Sequence, residues 1–254
     1  MPKMRFTAPH LARANGSGHR QSPKTPQHDF GAQKAMRFPR LIHGNCIDGL
    51  RRLPDELVDA VVTDPPYGIR YRSPSGARIL NDNAAYIWWL HEAWRVTAKN
   101  GALVCFCRWD VQEDFRWAIE LAGWKVKSQV IWDRMLHGMG DVRAAFAPRH
   151  DVIWFAVKGN YRFPNRRPVS VIQTQRMRSG LVHPTEKPVE LMERLLEAVV
   201  RPAGVVLDPC MGSGSTGVAC TNKGYRFIGM ELDPNHFRTA KQRIALRTSS
   251  RRKS

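Results

Sequence analysis

The segment Val61-Val62-Thr63-Asp64-Pro65-Pro66-Tyr67-Gly68 sets an acid, two prolines and an aromatic directly after an apolar, strand-like run. Pro65 and Pro66 fix two φ angles and remove two N–H donors, so the turn is rigid and its carbonyls point where the chain dictates. The Asp64 carboxylate and the Pro65 carbonyl are then two acceptors in fixed positions. Together they can hold both hydrogens of an exocyclic amine while its nitrogen becomes tetrahedral, and preorganised dipoles of this kind are a large part of catalytic stabilisation. Tyr67 offers a flat face to a base taken out of its stack, a device worth about 1–3 kcal/mol per base. Read alone, the same residues also describe a proline-rich turn that caps a core strand.

A second stretch, Val205-Val206-Leu207-Asp208-Pro209-Cys210-Met211-Gly212-Ser213-Gly214-Ser215-Thr216-Gly217, is a strand, a glycine-rich turn and a helix start. Glycines let the backbone turn tightly and approach a ligand closely. Glu231 closes the following strand, at the distance where an acid in a doubly wound sheet meets a ribose diol. Gly212, Gly214 and Gly217 satisfy G-x-G-x-x-G, a pattern that taken alone leaves a nicotinamide enzyme open. Against a dinucleotide, Asp208 and Pro209 stand where a pyrophosphate needs bare helix amides. A negative Asp208 repels phosphates and suits a cationic ligand such as the sulfonium of S-adenosylmethionine. No Lys-Ser/Thr follows the glycines, which excludes the phosphate loop of NTPases.

The elements that carry these motifs alternate. Apolar runs at 59–63, 102–107, 125–132, 151–157, 205–208 and 226–232 read as strands, and 84–98, 111–121, 188–200, 216–223 and 234–246 read as helices. That alternation predicts crossover units and a parallel or mixed sheet. Two long polar connections fit neither pattern: 68–83, with Arg70, Arg72 and Arg78, and 159–182, with Arg162, Arg166, Arg167, Arg176 and Arg178. Loops of this length inside a compact domain are more often functional than accidental.

The 254 residues carry a formal charge of +18, and its placement says more than its size. Residues 1–40, 158–180 and 238–254 together hold 21 of the 40 Lys and Arg and one of the 22 acids, so basic patches sit on a nearly neutral body. Such patches suit a polyanion, because neutralising phosphates releases counterions. The five cysteines show no paired spacing, and no His has metal-ligand spacing, so neither a disulfide framework nor a metal site is expected. There is no run of 18 apolar residues and no apolar signal core near the start, which predicts no membrane span and a cytoplasmic protein.

The two motifs together resemble the amino DNA methyltransferases that make N6-methyladenine or N4-methylcytosine. Their order is that of the β group, catalytic motif first and cofactor motif second. His183-Pro184-Thr185-Glu186-Lys187-Pro188 resembles that family's third signature, at the start of the helix flanking the methionine end of the cofactor, and His43-Gly44-Asn45-Cys46 falls where the family has a lesser motif. The resemblance implies a doubly wound, mostly parallel seven-stranded sheet of the Rossmann-like type in circularly permuted order. It implies a methyltransferase domain at 38–247, while composition and charge mark a disordered basic arm at 1–37, rich in Pro, Gly, Ser, Gln and His, and a basic tail at 248–254. That domain divides into a catalytic half at 38–158, a short target-recognition connection at 159–182 and a cofactor half at 183–247.

Within that frame Asp64, Pro65, Pro66 and Tyr67 are the expected catalytic residues. Asn45, His183, Thr185, Lys187, Asp208, Pro209, Gly212, Ser213, Gly214, Thr216 and Glu231 are expected to bind S-adenosylmethionine. The eight loop arginines named above are expected to hold DNA, and the shortness of 159–182 predicts brief or relaxed sequence specificity. Asp rather than Ser at the first catalytic position favours adenine in double-stranded DNA. N4-cytosine, an RNA amine and an inactive DNA-binding accessory protein stand as alternatives. A homodimer, a restriction endonuclease partner and a bacterial or phage origin are left open by the resemblance.

Overall fold

The computed structural model describes residues 36–70, 79–138, 142–175 and 186–251. Arg72, Arg78, Arg176, Arg178, His183 and Thr185 lie outside the described residues, as do most of the basic arm and the last three residues of the chain.

The compact unit begins at Arg37. It is built on one sheet whose strands are β1 (Arg40–His43), β2 (Val58–Thr63), β3 (Thr97–Cys107), β4 (Lys125–Asp133), β5 (His150–Val157), β6 (Val171–Gln173), β7 (Val205–Asp208) and β8 (Arg226–Glu231). Their spatial order is β1-β8-β7-β2-β3-β5-β4-β6. Every pairing is parallel except those of β5, which runs antiparallel to β3 and β4. The mostly parallel sheet therefore stands as expected, with eight strands where the resemblance implies seven. The unread ones, β1 and β6, are edge strands of four and three residues, too short to leave a periodic signal.

Central strands read as they do because both faces are covered. β2 (VDAVVT) and β7 (VVLD) are near-continuous β-branched runs, the pattern of a doubly buried parallel strand. Ala60 and Val62, with Ala102, Val104 and Phe106 of β3, pack into one cluster with Leu191, Leu195 and Val199 of a helix at Val189–Val199. Successive side chains point to opposite faces. Val61, Leu103 and Cys105 thus face the other layer, where Leu90, Phe115 and Ile119 are also buried.

The helices are α1 (Cys46–Arg51), α2 (Leu90–Val96), α3 (Gln112–Leu121), α4 (Val189–Val199), α5 (Ser215–Lys223) and α6 (Pro234–Arg251). α2 is shorter than the helix expected at 84–98. The Tyr86 amide donates to the Pro66 carbonyl at 3.1 Å, which folds that segment over the proline turn. Gly224 ends α5 at φ 80°, the left-handed residue a glycine C-cap provides.

From β2 the chain moves outward to β3 on one side, whereas from β7 it moves to β8 on the other. The carboxyl ends of β2 and β7 therefore flank the topological switch point, where open α/β sheets bind ligands. Asp64 and Asp208 stand at those two ends. Among the described residues no helix is long and apolar enough to cross a membrane, and no group of three or more His, Cys, Asp or Glu could hold a metal ion.

Candidate active site

β2 delivers Asp64 into a cavity of about 270 Å³ whose wall also contains Asn45, Pro65, Pro66, Tyr67, Lys187, Pro209 and Glu231. Eight of the residues expected from sequence thus share one cavity. The Tyr67 hydroxyl donates to Asp64 Oδ1. Lys187 Nζ donates to Asp64 Oδ2 at 2.5 Å and lies 5.0 Å from the centre of the Phe106 ring. Lys187, expected on the cofactor, is thus bonded to the Asp64 carboxylate. Burial pushes the Tyr67 phenol well above its ordinary pKa, and the Asp64 charge adds to this, so Tyr67 is a neutral donor at pH 7.

The turn itself is held from outside. Asp82, buried in the polar connection, accepts from the Gly68 amide at 2.7 Å and the Ile69 amide at 3.2 Å. Gly68 has φ 82°, and a Cβ there would lie 2.4 Å from the Ala84 carbonyl carbon, so both conformation and space require glycine. Because Tyr86 takes the Pro66 carbonyl, the Pro65 carbonyl is the one of the pair with no protein donor among the described residues. Sequence reasoning missed Asp82 and Tyr86, since neither belongs to a motif. The only signal was the position of Asp82 within a loop already marked as unusual.

β7 ends in Asp208, which is 2% exposed. Its Oδ1 accepts from the Thr63 hydroxyl at 2.7 Å and the Cys210 amide at 3.1 Å, and its Oδ2 accepts from the Thr216 hydroxyl at 2.6 Å. Burial raises the Asp208 carboxyl to about 7, while the hydroxyl donors hold it partly down. The charge expected to face a cationic ligand is instead turned inward, joining the two motifs. Ser213 and Thr216 are also turned inward, and Ser213 accepts from Arg243 Nη1 through both its carbonyl and its hydroxyl. The same guanidinium donates to Glu186, whose side chain is 1% exposed, so α6 clamps the glycine turn to the segment that carries Lys187.

The other end of the cavity is shaped for a nucleoside. Glu231 Oε2 accepts from the Gly212 amide at 2.9 Å and Oε1 from the Asp233 amide at 2.8 Å, which fixes the carboxylate while leaving lone pairs open to the cavity. Asn45 caps α1 by accepting from the Ile47 amide at 2.9 Å. Gly44 and Gly212 both have positive φ, and a Cβ added at either would meet nothing within 4 Å, so the backbone here borders open space. An aligned carboxylate, an amide side chain and bare glycine backbone fit the adenosine part of S-adenosylmethionine, and Asp64 lines the same cavity.

The arginines divide. Arg70 is exposed just beyond the turn. Arg162, Arg166 and Arg167 are not brought to the cavity. β5 runs antiparallel, so the chain leaves it at the opposite end of the sheet. There Tyr161 donates to the Val199 carbonyl at 3.0 Å and Asn165 to the Glu197 carbonyl at 3.3 Å, both at the far end of α4. The arginines that do line the cavity are Arg108 and Arg134, from the carboxyl ends of β3 and β4, paired with Asp110 and Asp151.

A family model described as DNA methylase matches residues 58–242. YubD of Escherichia coli (strain K12) is 33% identical over 211 residues, which cover 81% of this chain and 90% of that protein. The type II methyltransferase M.HpaI of Haemophilus parainfluenzae is 27% identical over 233 residues, covering 81% and 74%. Among solved structures, the M1.HpyAVI-SAM complex aligns with a TM-score of 0.64 at 26% identity, over 80% of this chain and 98% of that one. The PvuII DNA methyltransferase (cytosine-N4-specific) aligns with a TM-score of 0.67 at 15% identity, over 82% and 90%, a likeness of fold alone. A proline turn and a nucleoside-shaped cleft at one switch point, in a chain matched along most of its length, make this protein a member of the N6/N4 DNA methylase family and an S-adenosylmethionine-dependent DNA methyltransferase.

Proposed function

We propose that the protein methylates the N6 amino group of adenine in double-stranded DNA, with the target base turned out of the helix into the Asp64 cavity. The observation that carries this reading is the pair of acceptors on the cavity wall, the Asp64 carboxylate and the uncommitted Pro65 carbonyl. Bound S-adenosylmethionine supplies an electrophilic methyl group on a sulfonium. The chain supplies everything that prepares the nitrogen.

Asp64 and the Pro65 carbonyl accept the two amino hydrogens, drawing the nitrogen toward tetrahedral geometry and freeing its lone pair from the ring. Each carboxylate oxygen has two lone pairs, so Asp64 can accept from the amine while Tyr67 and Lys187 hold its orientation. The rigid turn keeps the acceptors in place through the reaction, so little reorganisation is needed at the transition state. After transfer the nitrogen is cationic and acidic, and Asp64 is positioned to take its proton. An acid at the first position of the turn, where cytosine enzymes of the family more often carry Ser, favours adenine.

The test is to incubate the protein with methyl-labelled S-adenosylmethionine and unmethylated duplex DNA, then digest the DNA and separate the nucleosides. Label in N6-methyldeoxyadenosine is the expected result. Label in N4-methyldeoxycytidine overturns the base assignment and keeps the chemistry.

A further inference from the structure

β4 and β5 are joined by residues 134–149, which leave the sheet at the carboxyl end of β4, the end that also carries Asp64. The base of this loop is pinned. Asp133 accepts from Arg149 Nε at 2.7 Å and Nη2 at 2.9 Å, from Gln173 Nε2 at 3.1 Å and from the Met135 amide at 2.9 Å. Arg149 holds the Asp133 carboxyl well below the usual carboxylate range, so the anchor stays charged. Arg134 Nη2 donates to the Pro148 carbonyl at 2.6 Å, and the Gly138 amide meets the same oxygen at 2.8 Å. Trp132, Arg134 and Asp151 at this base line the catalytic cavity.

On that fixed base Phe146 is fully exposed, at 102% of the reference area, with Val142 at 78% and Met135 at 51% in the same loop. A single surface Leu needs no explanation, but a wholly bare phenyl ring in a loop with two further exposed apolar side chains does. Phe146 is two residues from Pro148, whose carbonyl is bonded to cavity-lining Arg134. The loop that carries the ring therefore rises from residues of the cavity wall. The same loop carries His137 and Arg143, while Arg134 and Arg149 are paired with Asp151 and Asp133.

We infer that Phe146 is a wedge that enters the base stack at the gap left when the target base moves into the Asp64 cavity. The inference rests on the reading that the substrate is duplex DNA. Turning a base out leaves its neighbours unstacked and its partner unpaired, and an apolar side chain inserted between base steps covers those faces. The pinned base fixes where the wedge leaves the sheet.

The test first maps the positions that the wild-type protein methylates in plasmid DNA. Two synthetic duplexes containing such a site are then compared, one fully paired and one with an abasic residue opposite the target base. Phe146→Ala is expected to methylate the paired duplex at least tenfold more slowly than wild type and the abasic duplex within twofold of it. Phe146→Trp keeps most of the activity on both. Wild-type rates for Phe146→Ala on the paired duplex, or the same loss on both duplexes, overturn the wedge. A wild-type protein that labels no duplex DNA overturns instead the reading on which the wedge rests.

Discussion

Thr63, the residue before Asp64, donates its hydroxyl to Asp208 at 2.7 Å in the interior, although 145 positions separate the two. β2 and β7 are parallel neighbours, with Val61 opposite Leu207. This bond therefore ties the proline turn to the glycine-rich turn at the point where the two halves of the sheet diverge. Thr63→Val keeps the shape and removes the donor, leaving Asp208 short of a partner it is too buried to replace with water. A loss of about 1–3 kcal/mol is expected in urea unfolding. An unchanged midpoint would mean that the bond does not brace the site.

Asp208 also sets a pH dependence. Its folded-state pKa, about 7, lies above the ordinary carboxyl value of 3.8, so between those limits the folded protein binds the proton more tightly than the unfolded chain. Stability from this group is full below about pH 4 and is lost as pH rises toward 7. Asp208→Asn removes the titration. The stability of wild type minus that of Asp208→Asn, followed by thermal unfolding, should fall across this range and level off above it. A difference that rises with pH would contradict the burial argument.

Gly68 is predicted to tolerate no side chain. Alanine there meets both an unfavourable φ and the backbone of Ala84. Relieving the clash must move either the loop that Asp82 anchors or Tyr67 itself. Gly68→Ala should lower kcat by more than about tenfold, since small displacements of positioned groups are costly in rate. Steady-state kinetics at saturating cofactor measure it.

Arg243→Met removes the guanidinium bonded to Glu186, whose side chain is 1% exposed. Breaking a fully buried pair costs about 3–5 kcal/mol. Arg243 keeps 23% of its side chain in solvent, so a loss at or below the low end of that range is expected. Adding Glu186→Gln to Arg243→Met should recover part of it in denaturant melts, because the buried charge is then gone.

Lys187 separates two roles. If its work is to fix Asp64, Lys187→Met lowers kcat by about 10- to 100-fold, about 1.4–2.8 kcal/mol, and leaves cofactor affinity within about threefold. A Kd that rises while kcat holds would return Lys187 to the cofactor, as the resemblance implies. Isothermal titration beside single-turnover rates distinguishes them.

Much of this site is legible in the chain because it is made of local motifs. The proline turn after β2 and the glycine turn after β7 each declare themselves within a few residues, and their strands are continuous β-branched runs. What the sequence does not carry locally is direction. Nothing within His150–Val157 says that β5 runs against its neighbours, yet that reversal sends Arg162, Arg166 and Arg167 to the end of the sheet away from the cleft. Asp208 is misread for a related reason. Its side chain looks ligand-facing until Thr63 and Thr216, from elements distant in sequence or a helix turn away, are seen to claim both oxygens.

In the proposed reaction Asp64 holds the amine during methyl transfer and does not serve to bind the cofactor. Asp64→Ala, assayed for methyl transfer to duplex DNA and titrated with S-adenosylmethionine by calorimetry, tests it most directly. Removing a preorganised group of this kind costs about 10²–10³ in rate, so transfer should fall by at least that factor while the cofactor Kd stays within about threefold. A variant that methylates DNA within about tenfold of wild type, or one that has lost the cofactor, would contradict the account.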